Sequence, residues 1–146
     1  MPMAANPQGG ELLGRLTRSA DFQGLRRGQK FEGKFGRMRA VARVRTAASP
    51  FVLRIGLIVP GKLGNSPQRH RIKRRLREGM RRAQASGGFG LGDFSEKEGS
   101  MGADIGIFAA PAVLTMDFDT LAMELEAGVN AVMRKLDRRP IYGQGR

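Results

Sequence analysis

The chain has 146 residues, with 26 Lys and Arg against 13 Asp and Glu, a formal net charge of +13 and a sequence pI of about 11.5. That surplus sets it apart from ordinary soluble enzymes and calls for a polyanionic partner, either nucleic acid or an anionic membrane surface. The lack of cysteine excludes a disulfide framework and a thiolate metal site. No apolar run approaches the roughly 20 residues needed to cross a bilayer, and the opening MPMAANPQGGE lacks the pattern of a signal peptide. A soluble, cytoplasmic protein with no membrane partner is expected.

The length suits one domain, but the charge is divided unevenly. Residues 1–82 hold 20 Lys/Arg and 4 Asp/Glu, whereas residues 83–146 hold 6 and 9. Residues 1–14 are rich in Gly, Pro and small side chains and are expected to be disordered. Ser19 opens a short helix, with Asp21 in its first turn, Arg26 and Arg27 in its last, and Gly28 as its stop. Its apolar residues are Phe22 and Leu25. Phe22 fits either core packing or a ring on which a base stacks, with packing the more common fate of a single Phe.

From Lys30 to Arg45 the pattern has period two, as in one strand or a bulged pair of strands. Met38, Ala40, Ala42 and Val44 suit a core. Phe31, Phe35, Arg37 and Arg39 fall on the alternate positions, where rings and guanidinium groups would together fit a single-stranded polyanion. A solvated outer face with incidental charge is an equal alternative for this stretch. Residues 51–59, FVLRIGLIV, form a strand with Leu53, Ile55, Leu57 and Val59 inward, closed by Pro60.

Gly61-Lys-Leu-Gly-Asn65 then leads into a strongly basic helix. Ser66 is the expected N-cap and Pro67 the first helical residue. Ile72, Leu76, Met80 and Ala83 form a narrow apolar stripe. Around it stand Arg69, Arg71, Lys73, Arg74, Arg75, Arg77, Arg81 and Arg82, with Glu78 as the single acid, able to pair with Arg74 or Arg82. One carboxylate cannot neutralise eight cations. The glycines before this helix do not form a P-loop, because no Lys-Ser/Thr pair follows Gly64.

Residues 84–103 are glycine-rich and mildly acidic and read as a flexible surface insertion. Asp104–Ala110 is a strand with Ile105, Ile107 and Ala109 on one face. Asp117 or Thr115 caps a final helix in which Phe118, Leu121, Leu125, Val129, Val132 and Leu136 recur at core spacing. Residues 140–146 form a tail. The result is an α+β layer sandwich, with helices on one side of a small sheet and its other face open to a partner.

Catalytic chemistry is sparse. The single histidine, His70, has no carboxylate near in sequence to orient it as a base. Asp117 and Asp119 are explained by helix capping and the helix dipole. No catalytic or metal-ligating residues are assigned, and the residues describe a nucleic-acid binder.

The segment Arg54-Ile-Gly-Leu, then Lys62-Leu-Gly-Asn65, then Arg69-His-Arg-Ile-Lys-Arg-Arg-Leu-Arg77 resembles the central signature of the protein subunit of bacterial ribonuclease P. Supporting matches are Asp21-Phe-Gln, the Phe-x-Gly-x-Phe of residues 31–35, Ala-x-Pro111 and the last helix, so the resemblance covers residues 15–136. It implies a two-layer α-β-β-β-α-β-α sandwich of ribosomal-protein type, with a mixed sheet and a left-handed βαβ crossover, as one RNA-binding domain over residues 15–139. It also implies a ribonucleoprotein endonuclease that removes 5′ leaders from precursor tRNA. In that family the RNA subunit is the catalyst, and Mg²⁺ is held mainly by the RNA and substrate. Carried over by position, Lys62, Asn65, Arg69, His70, Arg71, Lys73, Arg74 and Arg77 would bind RNA and Phe22 would line the leader cleft. The strand alternation adds Phe31, Phe35, Arg37 and Arg39 to that cleft. His70 replaces the Asn of the motif, Pro60 and Gly61 a usual Ser-Lys pair, and Ala110 a common Arg. A non-enzymatic structural RNA-binding protein, such as a ribosomal protein, is the alternative.

Overall fold

A computed structural model describes residues 13–16, 19–44, 52–87, 89 and 101–137. In chain order the elements are β1 (Leu13–Arg15), α1 (Ser19–Gly24, continued by a 3-10 turn Leu25–Arg27), β2 (Gln29–Gly33), β3 (Gly36–Val44), β4 (Leu53–Ile58), α2 (Ser66–Ala85), β5 (Met101–Ala109) and α3 (Phe118–Asp137). The strands form one mixed sheet in the order β1-β4-β5-β3-β2. β1, β4 and β5 are mutually parallel along the sheet, while β3 runs antiparallel to β5 and to β2.

One face of this sheet carries the core. Leu53, Ile105, Ile107, Met38 and Ala40 are buried there against Ile72, Leu76 and Met80 of α2 and Leu121, Leu125, Val129 and Val132 of α3. The two helices cross closely at Gly79, where an added Cβ would stand 2.7 Å from Leu125 Cδ1. Asp117 begins α3 by accepting a hydrogen bond from the Thr120 amide at 3.1 Å.

Several expectations change. Leu13 and Gly14, assigned above to a disordered leader, form β1 with Arg15; the remainder of that leader and the tail lie outside the described residues. Three residues are too few to show a period, and β1 is fixed by its parallel pairing with β4. The 84–103 segment is shorter than its composition suggested, because α2 runs through Ala85 and β5 begins at Met101, with Ala103 fully buried. Phe89 also packs against the core, and residues 90–100 lie outside the described residues. The helices do not share one side of the sheet: α1 crosses the face opposite α2 and α3.

The α2 cap shifts by one residue. Asn65, not Ser66, is the N-cap: its side-chain oxygen accepts from the Gln68 amide and the Gln68 side chain accepts from the Asn65 amide, both at 2.9 Å. Asn and Ser are equally good caps, and Gln at the third helical position completes the reciprocal pair only if Asn65 comes first.

Candidate nucleic-acid interface

The strand registers sort the open face of the sheet into rows. Ile58, Phe108, Arg37 and Glu32 lie side by side across β4, β5, β3 and β2, followed by Gly56, Gly106, Arg39 and Lys30, and then by Arg54, Asp104 and Val41. α1 and its 3-10 turn press onto the second row. A Cβ at Gly56 would stand 2.5 Å from Phe22 Cε1, and one at Gly106 2.4 Å from Leu25 Cδ1. The glycine pair is therefore a floor that admits α1, and Leu25 is fully buried on it.

Polar clamps hold α1 at both ends of this contact. Asp104, 5% exposed, accepts from Arg43 Nε at 2.6 Å and from Arg54 Nε and Nη2 at 2.7 Å each. Arg54 Nη2 also lies 3.5 Å from Asp21 of α1. The hydrogen bond to Asp104 raises the Arg54 pKa above the ordinary guanidinium value, against the opposing effect of burial and with help from the charges of Asp104 and Asp21. At the other end Arg39 Nη1 donates to the Arg26 carbonyl at 2.9 Å. Asp104 and Asp21 together thus balance Arg43 and Arg54 around the third row, and the first row keeps a half-buried ring, a half-buried Ile and an exposed guanidinium.

Phe31 and Phe35 are not on this face. The turn at Lys34 and Phe35 pairs Gly33 with Gly36 and Phe31 with Met38, so odd positions of β2 lie beside even positions of β3. Phe31 therefore points to the core side, and Phe35, 0% exposed, stacks on it with ring centroids 6.2 Å apart. Continuous period-two alternation hid this switch. Arg37 and Arg39 do lie on the open face, and Arg37 Nε donates to Glu32 at 3.2 Å. The ring that this face does carry beside them is Phe108. The sequence reading missed it, although the alternation of Ile105 and Ile107 already points residues 104, 106 and 108 the other way.

On α2 the cations divide into three rows set by the 3.6-residue turn. Arg71, Arg75 and Arg82, with Glu78, face the start of α3: Arg75 Nη2 donates to the Met116 carbonyl, and Arg82 pairs with Asp119 at 2.7 Å, 5.4 Å from the Phe118 ring centre. Arg82 thus pairs across helices rather than with Glu78. His70, Arg74 and Arg81 are exposed on the outermost row. Arg69, Lys73 and Arg77 line the flank toward β1 and are partly buried. Arg69 Nε donates to the Gly64 carbonyl at 3.1 Å, fixing the turn that carries exposed Lys62. Burial, and then the charges of Arg15 and Arg81, lower the Arg77 pKa below the ordinary guanidinium value. Asn65, expected as an RNA contact, commits its side-chain oxygen to the helix cap.

Residues 13–133 match the family model described as Ribonuclease P. The chain belongs to the ribonuclease P protein family. It is similar to a ribonuclease P protein component of Pseudarthrobacter chlorophenolicus, 31% identical over 126 residues that cover 86% of this chain and 82% of that one. The component of Bartonella quintana is 44% identical over 69 residues, covering 46% and 52%. That of Thermus oshimai is 43% identical over 81 residues, covering 56% and 48%, so these two matches span about half of those relatives' length. Among solved structures, the ribonuclease P proteins of Staphylococcus aureus and Thermotoga maritima share the fold, each with TM-score 0.55, at 21% and 22% identity. The first match covers 83% of this chain and 93% of that structure, the second 82% and 96%.

The family implies Mg²⁺. The described residues contain no group of three potential metal-ligating side chains, and the carboxylates of the open face are already paired, Asp21 and Asp104 with Arg54 and Glu32 with Lys30 and Arg37. These acids do not fit a divalent cation. No helix of the described residues is long and apolar enough to cross a membrane.

Proposed function

We propose that this chain is the protein subunit of a cytoplasmic ribonuclease P ribonucleoprotein, which binds the catalytic RNA and the 5′ leader of precursor tRNA and so promotes leader removal. The observation that carries this reading is the family's spaced motif displayed as a cationic surface on α2 and the turn before it, exposed at Lys62, Arg71 and Arg74 and partly buried at Arg69, Lys73 and Arg77, beside an open sheet face with half-buried apolar side chains. In this reading hydrolysis belongs to the RNA, with Mg²⁺ held by RNA and substrate. The protein supplies affinity and position.

The charge distribution supports a path for the leader. Arg43 and Arg54 are occupied by Asp104, so a phosphate chain gains little on the third row. The first row, Ile58–Phe108–Arg37, offers stacking and a cation whose ion pair with Glu32 is solvent-exposed and so weak enough to exchange for phosphate, and it lies at the end of β4 that continues to Lys62 and α2. The leader lies along this row with Phe22 as its wall, and bases stack where rings are available.

The test is cleavage of a precursor tRNA by the cognate ribonuclease P RNA at low Mg²⁺, with and without the protein. Correct 5′ maturation is expected only with both components. RNA binding without any stimulation of cleavage would favour the structural RNA-binding alternative.

A further inference from the structure

Glu32 is out of place on a face that receives a polyanion. Among the described carboxylates of this face, Asp21 and Asp104 are turned inward to Arg54, whereas the Glu32 side chain is 57% exposed in the first row, beside Arg37 and in line with Phe108 and Ile58. Arg37 Nε reaches it at 3.2 Å and Lys30 Nζ at 3.8 Å, and both approach the same oxygen, Oε2. Oε1 has no protein partner among the described residues. As a mere counter-charge this carboxylate would weaken the row's hold on phosphate, and exposed pairs of this kind add little to stability. Its use lies in what it can accept, because a carboxylate presents two acceptor oxygens in one plane and no donor.

We propose that Glu32 reads a guanine in the single-stranded leader, the base that stacks on Phe108 while Arg37 holds the adjoining phosphate. The inference rests on the leader path proposed above and extends it from backbone binding to base selection. Glu32 and Phe108 lie two strands apart, about 10 Å across the sheet, a gap that a stacked purine and an extended glutamate side chain span together. When Arg37 turns to phosphate, Lys30 still keeps the carboxylate in the row. Unpaired bases of single strands offer their Watson–Crick edges. Guanine places two adjacent donors there, N1–H and the N2 amino group, which match the two carboxylate oxygens. Adenine and cytosine set one amino donor beside an acceptor nitrogen, and uracil sets its N3–H between two carbonyls, so each of these turns a lone pair toward Glu32. The cations and rings of this face are indifferent to base identity, which leaves the selection to the carboxylate.

The experiment uses holoenzyme assembled from cognate ribonuclease P RNA and either the full-length chain or its Glu32→Gln variant, an isosteric change at an exposed position that keeps the fold. Binding is measured for leaderless tRNA and for precursor tRNAs whose all-uridine leader carries one guanosine, moved position by position. The unmodified chain is expected to bind about tenfold tighter when guanosine occupies one particular position. Inosine there, which lacks the N2 amino group, should lose most of that gain, whereas 7-deazaguanosine, which keeps the Watson–Crick edge, should retain it. Glu32→Gln should tighten binding of every leader slightly, through removal of a negative charge, and erase the difference between guanosine and uridine. A guanosine gain that survives Glu32→Gln, or no gain at any position, overturns the proposal. A gain lost with 7-deazaguanosine also overturns it, because Arg37 would then be reading N7. Equal binding of leaderless tRNA and precursor tRNA by the unmodified holoenzyme would instead refute leader binding itself.

Discussion

The two faces of the sheet are built on opposite rules. The α2/α3 face is closed by volume: Phe35, Met38, Leu53, Ile105 and Ile107 are each fully buried among helix side chains. The open face is shaped by absence and by charge, with Gly56 and Gly106 making room for α1 and Asp104 holding two arginines in place. Loss of a side chain is therefore harmful on the first face, while gain of a methyl or release of a cation is harmful on the second.

The largest effect is expected from Phe35→Ala, which empties a fully buried site and should cost about 3–5 kcal/mol in urea unfolding. Leader preference of the folded fraction should be unchanged. Phe22→Ala should invert that pattern, with a smaller stability loss and a clear loss of leader preference in precursor tRNA binding. Equal leader effects from the two would return Phe35 to the cleft.

Next is Asp104→Ala, which leaves two partly buried guanidinium groups without their shared carboxylate and should cost about 3 kcal/mol. With the Asp104 charge removed, the open face around Arg43 and Arg54 would carry one more net positive charge. Single-stranded RNA affinity measured at rising salt should show a steeper slope than that of the unmodified chain. An unaltered slope would mean that Asp104 does not neutralise this row. Gly106→Ala follows at about 2 kcal/mol, since its Cβ must displace the buried Leu25. The cost should shrink in the background Leu25→Ala, a coupling readable by a double-mutant cycle.

The elements legible in the sequence were those with long periods. The stripe Ile72, Leu76, Met80 and Ala83 on α2, the core spacing of α3 and the alternation of β4 each span enough residues to fix a face. The elements hidden from it depend on pairing between distant residues. Asp104 reads as the first residue of a strand until β5 is set between β3 and β4, which brings Arg43 and Arg54 from 61 and 50 positions away. The β2–β3 turn escaped for a local reason: alternation continues through two turn residues, but the face it labels changes. In the candidate site, helical spacing was enough to place the α2 cations around the apolar stripe, while the ring of the open face was misplaced from Phe108 to Phe31 and Phe35.

The smallest effect separates cap from contact at Asn65. Its side-chain oxygen accepts the Gln68 amide, a role that aspartate fills equally well and that the helix dipole further favours. Asn65→Ala should cost about 1 kcal/mol of stability, and Asn65→Asp close to none. The same Asp places a negative charge beside Lys62 and Arg69, where phosphate is expected to bind. If Asn65 serves only as a cap, its Ala variant should bind ribonuclease P RNA as the unmodified chain does once folded, and the Asp variant should bind more weakly at low salt and converge on it at high salt. A loss in the Ala variant that persists at high salt would show that the amide nitrogen of Asn65 makes a direct RNA contact while its oxygen caps the helix.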